Sequence, residues 1–200
     1  MATPQEIRKI RLANDYKQML NIQGDIISWT AVKGAPPHVE EYKLTINVRT
    51  IASASGDIPQ YRDKSEVVVS LPADYPRLAP RASMVSPVIF HPNWSSGWGW
   101  CSGHWSMTEA LGDFVIRMVK TLQFDPDITN PHGTGYSAAD KWYSANLQKG
   151  IFPCDKTVLP DPSSSKEDSA PKTSGFVIKP RAASHFAPAA GGGFKIKAKA

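Results

Sequence analysis

The chain has 200 residues, 41% of them hydrophobic, which is enough to bury one core, and two cysteines, Cys101 and Cys154. Two cysteines exclude a disulfide framework, and with no second pair they exclude a cysteine-built zinc site, so no metal is expected and free thiols in a reducing compartment are. The formal charge of +5 sits at the end: residues 1–170 carry 17 Lys/Arg against 18 Asp/Glu, while 171–200 carry six basic residues and no acidic one, so the folded part makes no case for a nucleic-acid partner.

Residues 1–20 are charged and amphipathic, without an apolar run fit to enter or span a bilayer, so a cytoplasmic protein with no membrane partner is expected. Thr3-Pro4-Gln5-Glu6 reads as a capping box with proline in the first turn. Ile7, Ile10, Tyr16, Met19 and Leu20 then recur near helical spacing, which predicts a helix over 4–22 ended by Gly24. Strands are predicted at 26–32, at 42–51, where Leu44, Ile46 and Val48 alternate against Thr45 and Asn47, at 66–71 and at 81–86. Gly34-Ala35-Pro36-Pro37 and the stretches 53–59 and 72–80 supply turn chemistry between them. Short turns joining short strands predict a four-stranded antiparallel meander.

Residues 89–107 show no period of either kind, yet hold four tryptophans, His91, His104 and Cys101, and long ordered loops are where function tends to sit. Helical spacing returns over 108–122, and a last helix is predicted around 136–148, after Asn130-Pro131. The fold class that follows is α+β, as a domain over 1–155. Residues 156–200 form a basic tail rich in Pro, Ser, Gly and Ala, in which Gly175-Phe176-Val177-Ile178-Lys179 recurs as Gly193-Phe194-Lys195-Ile196-Lys197. Phe and Ile two residues apart share one side of an extended chain, so each word is expected to act as a short adhesive strand for a partner's sheet or the domain's own, with disordered filler as the plain alternative.

The chemistry-bearing words are His91-Pro92-Asn93 and, eight residues after the asparagine, Cys101. With Leu71-Pro72-Ala73-Asp74-Tyr75-Pro76 upstream and Leu122-Gln123-Phe124-Asp125-Pro126 downstream, the sequence resembles the E2 ubiquitin-conjugating family, from the first helix to about residue 150. The resemblance implies the UBC-like fold, no cofactor, and a ubiquitin-like protein received from an E1-like activating enzyme as a thioester on Cys101. It makes His91, Pro92, Tyr75 and Pro76 structural motif residues, Asn93 an oxyanion donor or loop-ordering residue, and Asn130 a gate on access to the thioester. It also brings Arg8, Lys9 and Arg11 to E1 binding, with a solvated helix face as the plain alternative, and leaves the tail to contact an E3 ligase or a substrate.

The residues agree with that chemistry. A thiolate is the nucleophile, and its thioester stays activated toward amines. The rim departs from the family: Trp98 and Trp100 replace a glycine and a branched aliphatic residue, Met107 a proline after Trp105-Ser106, and Arg77 an aromatic ligase contact. Such divergence is similar to the E2-like proteins of bacteria, some of which serve antiviral defence. Two other readings stay open: a non-catalytic E2-variant binding module, and a cysteine hydrolase using His104 and Asp113 beside Cys101. Trp94, Trp98, Trp100 and Trp105 are expected to pack the loop, and Cys154 to be structural.

Overall fold

A computed structural model describes residues 3–85, 87–130 and 135–164. The opening helix, α1 (Pro4–Ile22), begins where the capping box places it: the Thr3 hydroxyl accepts the Glu6 N–H, and the Glu6 side chain accepts the Thr3 N–H. It ends at Gln23, whose N–H bonds to Leu20. Leu12, Asp15, Met19 and Ile22 lie on its buried face. Ile7 and Ile10, counted as part of the apolar pattern, are exposed.

Strands β1 (Ile27–Ala35) and β2 (His38–Ile46) form a hairpin around a cis Pro36-Pro37 bond. The chain then departs from a single long strand. It breaks after β2 and builds a separate two-stranded ribbon, β3 (Thr50–Ser55) with β4 (Ile58–Arg62), out of the stretch expected to be a turn. Strands β5 (Ser65–Ser70) and β6 (Arg81–Met84) return to the first sheet. Two short strands, β7 (Trp94–Ser95) and β8 (Gly99–Trp100), extend it, so the main sheet runs β1-β2-β5-β6-β8-β7, antiparallel throughout. The expected meander is therefore β1-β2-β5-β6, interrupted by the β3-β4 ribbon and lengthened by two strands inside the irregular segment.

Register explains which face is covered. Leu44 stands opposite Val67, and Val67 opposite Met84, while Tyr42, Val69 and Ala82 make a second row, all buried. Their neighbours Lys43, Glu66 and Ser83 point the other way, as a period of two requires. On the buried face lie α1 and α2 (Leu111–Leu122), the latter contributing Leu111, Phe114, Val115, Met118, Val119 and Leu122. Full burial of such side chains contributes about 1.5–3 kcal/mol each, so this layer is the main source of stability. A smaller cluster of Ile51, Phe124 and Tyr143 joins the ribbon to α3 (Ser137–Asn146), and a short 3-10 turn, Leu147–Lys149, follows.

The N-terminus of α2 has no side-chain cap of its own, and α1 provides one. Asp15 Oδ1 accepts the Leu111 N–H at 3.0 Å, and Gln18 Oε1 accepts the Gly112 N–H at 3.2 Å. Residues 156–164, read from composition as the start of the tail, pack on this pair: Pro162 is buried, its carbonyl accepts from the Asn21 amide, and the Thr157 carbonyl accepts from Gln123. The two Gly-Phe-x-Ile-Lys words lie outside the described residues. Among the described residues, no helix is long and apolar enough to cross a membrane.

Candidate active site around Cys101

The eight-residue spacing between Asn93 and Cys101 is a hairpin register. Trp94 pairs with Trp100 and Ser95 with Gly99, so the next pair outward is Asn93 and Cys101, and the Cys101 N–H donates to the Asn93 carbonyl at 2.8 Å. The turn depends on Gly97, whose φ is +82° and where a Cβ would come within 2.5 Å of the Ile89 carbonyl. Trp94 anchors the hairpin in the core and donates its indole N–H to Thr121. Trp100 and Trp105 meet Phe114 edge-on, while Trp98 is exposed.

Cys101 itself is an exposed free thiol. It opens on a cavity of about 340 Å³ whose walls include Asn93, Trp100, Arg117, Thr121 and Asn130. Three residues named from the sequence, Cys101, Asn93 and Asn130, thus share one cavity. Asn93 and Asn130 grip each other: the Asn93 Nδ2 donates to the Asn130 carbonyl at 3.2 Å, and its Oδ1 accepts the Asn130 N–H at 2.9 Å. This reciprocal pair ties the hairpin to the segment after α2. His91 is wholly buried against Phe124 and accepts the Asn93 N–H through Nδ1. Burial pushes its imidazole down to about 3, which favours the neutral ring. Pro92 is buried beside it.

Tyr75 and Pro76, joined by a cis bond, hold the far end of the segment. The Tyr75 hydroxyl donates to Asp15 at 2.6 Å, and the Pro76 carbonyl accepts from the Trp105 indole. Arg11 completes this knot. Its guanidinium pairs with Asp15 at 2.8 Å and donates to the carbonyls of Met107 and Glu109. Arg8 is likewise engaged, with Glu40 at 2.7 Å. Of the three cations read as one docking patch, Lys9 is exposed while Arg8 and Arg11 are half-buried. Arg8 and Arg11 brace the domain, because a guanidinium with several donors is well suited to closing loops over carbonyls.

Two residues of the hydrolase alternative do not join the cavity. His104 is exposed and absent from its walls, as is Asp113, whose carboxyl is pushed up by burial and by its neighbours Glu109 and Asp161. Cys154 stands apart against the carbonyls of Arg49 and Gln123, and burial pushes its thiol up to about 12. No His, Cys, Asp or Glu cluster among the described residues could hold a metal.

Sequence reasoning missed Arg117. It projects from α2 into the cavity wall, is held bidentate by Glu109 at 2.9 and 3.0 Å, donates to the Ser102 carbonyl, and lies 5.0 Å from the centre of the Trp100 ring. A cation amid the polar positions of an amphipathic helix carries no sequence signal of its own. Its acidic partner lies eight residues back, before the helix begins.

No family model matches this sequence, and no curated protein matches it. Among solved structures, the human ubiquitin-conjugating enzyme E2 G1 aligns over 61% of this chain and 98% of its own, with 14% identity and a TM-score of 0.45. The functional reading accordingly stands on the site's own geometry.

Proposed function

We propose that the protein is an E2-type conjugating enzyme, which receives a ubiquitin-like protein from an E1-like activating enzyme as a thioester on Cys101 and passes it to an amine. The observation that carries this reading is an exposed cysteine held at a cavity mouth by a hairpin whose opposite residue is Asn93. In charging, Cys101 Sγ bonds to the acyl carbon and the E1 thiol leaves. In discharge, an amine nitrogen bonds to that carbon, Cys101 leaves as thiolate, and the amine's proton passes to solvent. Neutral, buried His91 does not activate water, which suits an enzyme that must deliver its acyl group to nitrogen.

On this reading Asn93 orders the loop, Asn130 stands at the cavity's edge where an incoming amine must pass, and Lys9 is the cation of α1 left to meet the E1. The remodelled rim, with Trp98 exposed, fits a dedicated system of the kind bacteria use, with its own ubiquitin-like protein and with a ligase or substrate reached through the tail. The test is incubation with an E1-like enzyme, ATP and a ubiquitin-like protein. A thiol-labile adduct is expected, converted to an alkali-sensitive oxyester by Cys101→Ser and unchanged by Cys154→Ser. An adduct that moves with Cys154, or persists as a thioester in Cys101→Ser, refutes the assignment.

A further inference from the structure

Thioester aminolysis needs a donor for the carbonyl oxygen as negative charge develops on it. Asn93, the sequence's candidate, is held to the backbone of Asn130 through both amide atoms, which leaves its Nδ2 one neutral N–H beyond these bonds. We propose that Arg117 supplies this donor, binding the oxygen of the acyl group carried on Cys101; the inference rests on the thioester reading above.

The guanidinium has five N–H groups. Nε and Nη2 each give one to Glu109, and Nη1 gives one to the Ser102 carbonyl, which leaves one on each terminal nitrogen beyond these bonds. Arg117 lines the cavity that Cys101 opens on and Glu109 does not, so the ion pair shows that space its positive end. Its plane is fixed before any substrate arrives, by the bidentate carboxylate on one edge and by the rings of Trp100 and Phe114, 5.0 and 5.6 Å from the guanidinium carbon. A donor already in place has no reorganisation to undergo when charge forms, and a charged donor makes a bond roughly twice as strong as a neutral amide does. The same residue also grips both chain neighbours of Cys101, Trp100 through its ring and Ser102 through its carbonyl, so donor and nucleophile are held in one frame.

The experiment uses the full chain, acylated on Cys101 by exchange with a glycine-terminated peptide thioester of a small thiol. Sγ bonds to the acyl carbon, and the small thiol departs with the cysteine's proton. Free lysine is then added, and release of the peptide as an amide is followed alongside alkylation of unacylated Cys101 by iodoacetamide, a displacement at saturated carbon that forms no oxyanion. Arg117→Gln should slow aminolysis roughly 10²-fold, the usual effect of losing one oxyanion donor, with alkylation changed less than about twofold. Arg117→Lys, which keeps the charge and loses the fork, should fall between, and it carries the test should Arg117→Gln not fold. Equal losses in both reactions overturn the proposal and make Arg117 a brace for the loop; wild-type aminolysis in the variants overturns it outright. Failure of the unaltered protein to take up the peptide or yield it to lysine sinks the thioester reading as well.

Discussion

Replacing Asp15 by alanine removes one buried carboxylate that serves three donors, and the structure lets the loss be apportioned. Oδ1 caps the Leu111 N–H of α2, a bond of the kind whose loss costs about 1 kcal/mol. Oδ2 takes the Tyr75 hydroxyl at 2.6 Å; without it that hydroxyl still accepts from Arg11 Nε, but its buried O–H has lost its acceptor, at a cost of about 1–3 kcal/mol. The Arg11 pair adds less than a fully buried one, because the Arg11 side chain retains 17% exposure and keeps its bonds to the Met107 and Glu109 carbonyls. The sum is about 2–4 kcal/mol, or a melting temperature roughly 10 °C lower in a domain of this size. Asp15→Asn keeps an oxygen for Leu111, and its amide can donate to a reversed Tyr75 hydroxyl, so about 1–2 kcal/mol is expected. Urea unfolding followed by tryptophan fluorescence, with the slope of the transition checked for constancy, measures both. A cost for alanine under ~1 kcal/mol, or equal costs for the two variants, would show that Asp15 is not the clasp between α1, α2 and the Tyr75 turn.

Three other outcomes are expected. At pH 8 iodoacetamide should modify Cys101 and spare Cys154, whose thiol burial pushes up to about 12, and mass spectrometry of the digested protein tells the two apart; faster labelling of Cys154 contradicts its packing. Burial holds His91 at about 3 against an ordinary 6.5, so the unfolded chain takes up a proton that the folded one refuses. Its contribution is complete above pH 6.5 and is lost as pH falls toward 3, at up to ~1.4 kcal/mol per pH unit. His91→Asn, whose side-chain oxygen can still take the Asn93 N–H, should flatten that limb of the melting-temperature profile, and parallel profiles would refute the assignment. Finally, a chain ended at residue 155 should melt below one ended at 164, because only the longer one keeps Pro162 on Asn21 and Thr157 on Gln123; equal melting would place the boundary where composition puts it.

The parts of the fold that were legible are those in which local and tertiary preferences agree. The capping box and the apolar row of α1 need no partner to be recognised, and Leu44-Thr45-Ile46 alternates because one face of β2 is covered. The ribbon β3-β4 escaped because Ala52, Ser53, Ala54 and Ser55 are small and Pro59 lies inside a strand; they pair on an edge, where neither bulk nor every N–H is required. At the site, the cysteine and its partner could be read because a hairpin fixes their separation in sequence. The roles of Arg8, Arg11 and Arg117 could not, since the groups they bond lie up to 98 residues away and no local pattern distinguishes a brace from a solvated charge. Asn93 faces Cys101 at the spacing read from the chain, but its amide's commitment to Asn130 is a contact between segments 37 residues apart.

The borrowed cap of α2 bears on which parts of the molecule open together. The first amides of a helix ordinarily exchange with solvent by fraying, since no earlier turn holds them. Those of Leu111 and Gly112 are held instead by Asp15 and Gln18 of α1, more than ninety residues away along the chain. The Leu111 bond is buried, so deuterium is expected to reach that amide when the two helices part, an event that also uncovers Leu12, Met19, Phe114 and Val115. The beginning of α2 is therefore expected to exchange with the core rather than to fray, and the helix that carries Arg117 is tied at that end to α1.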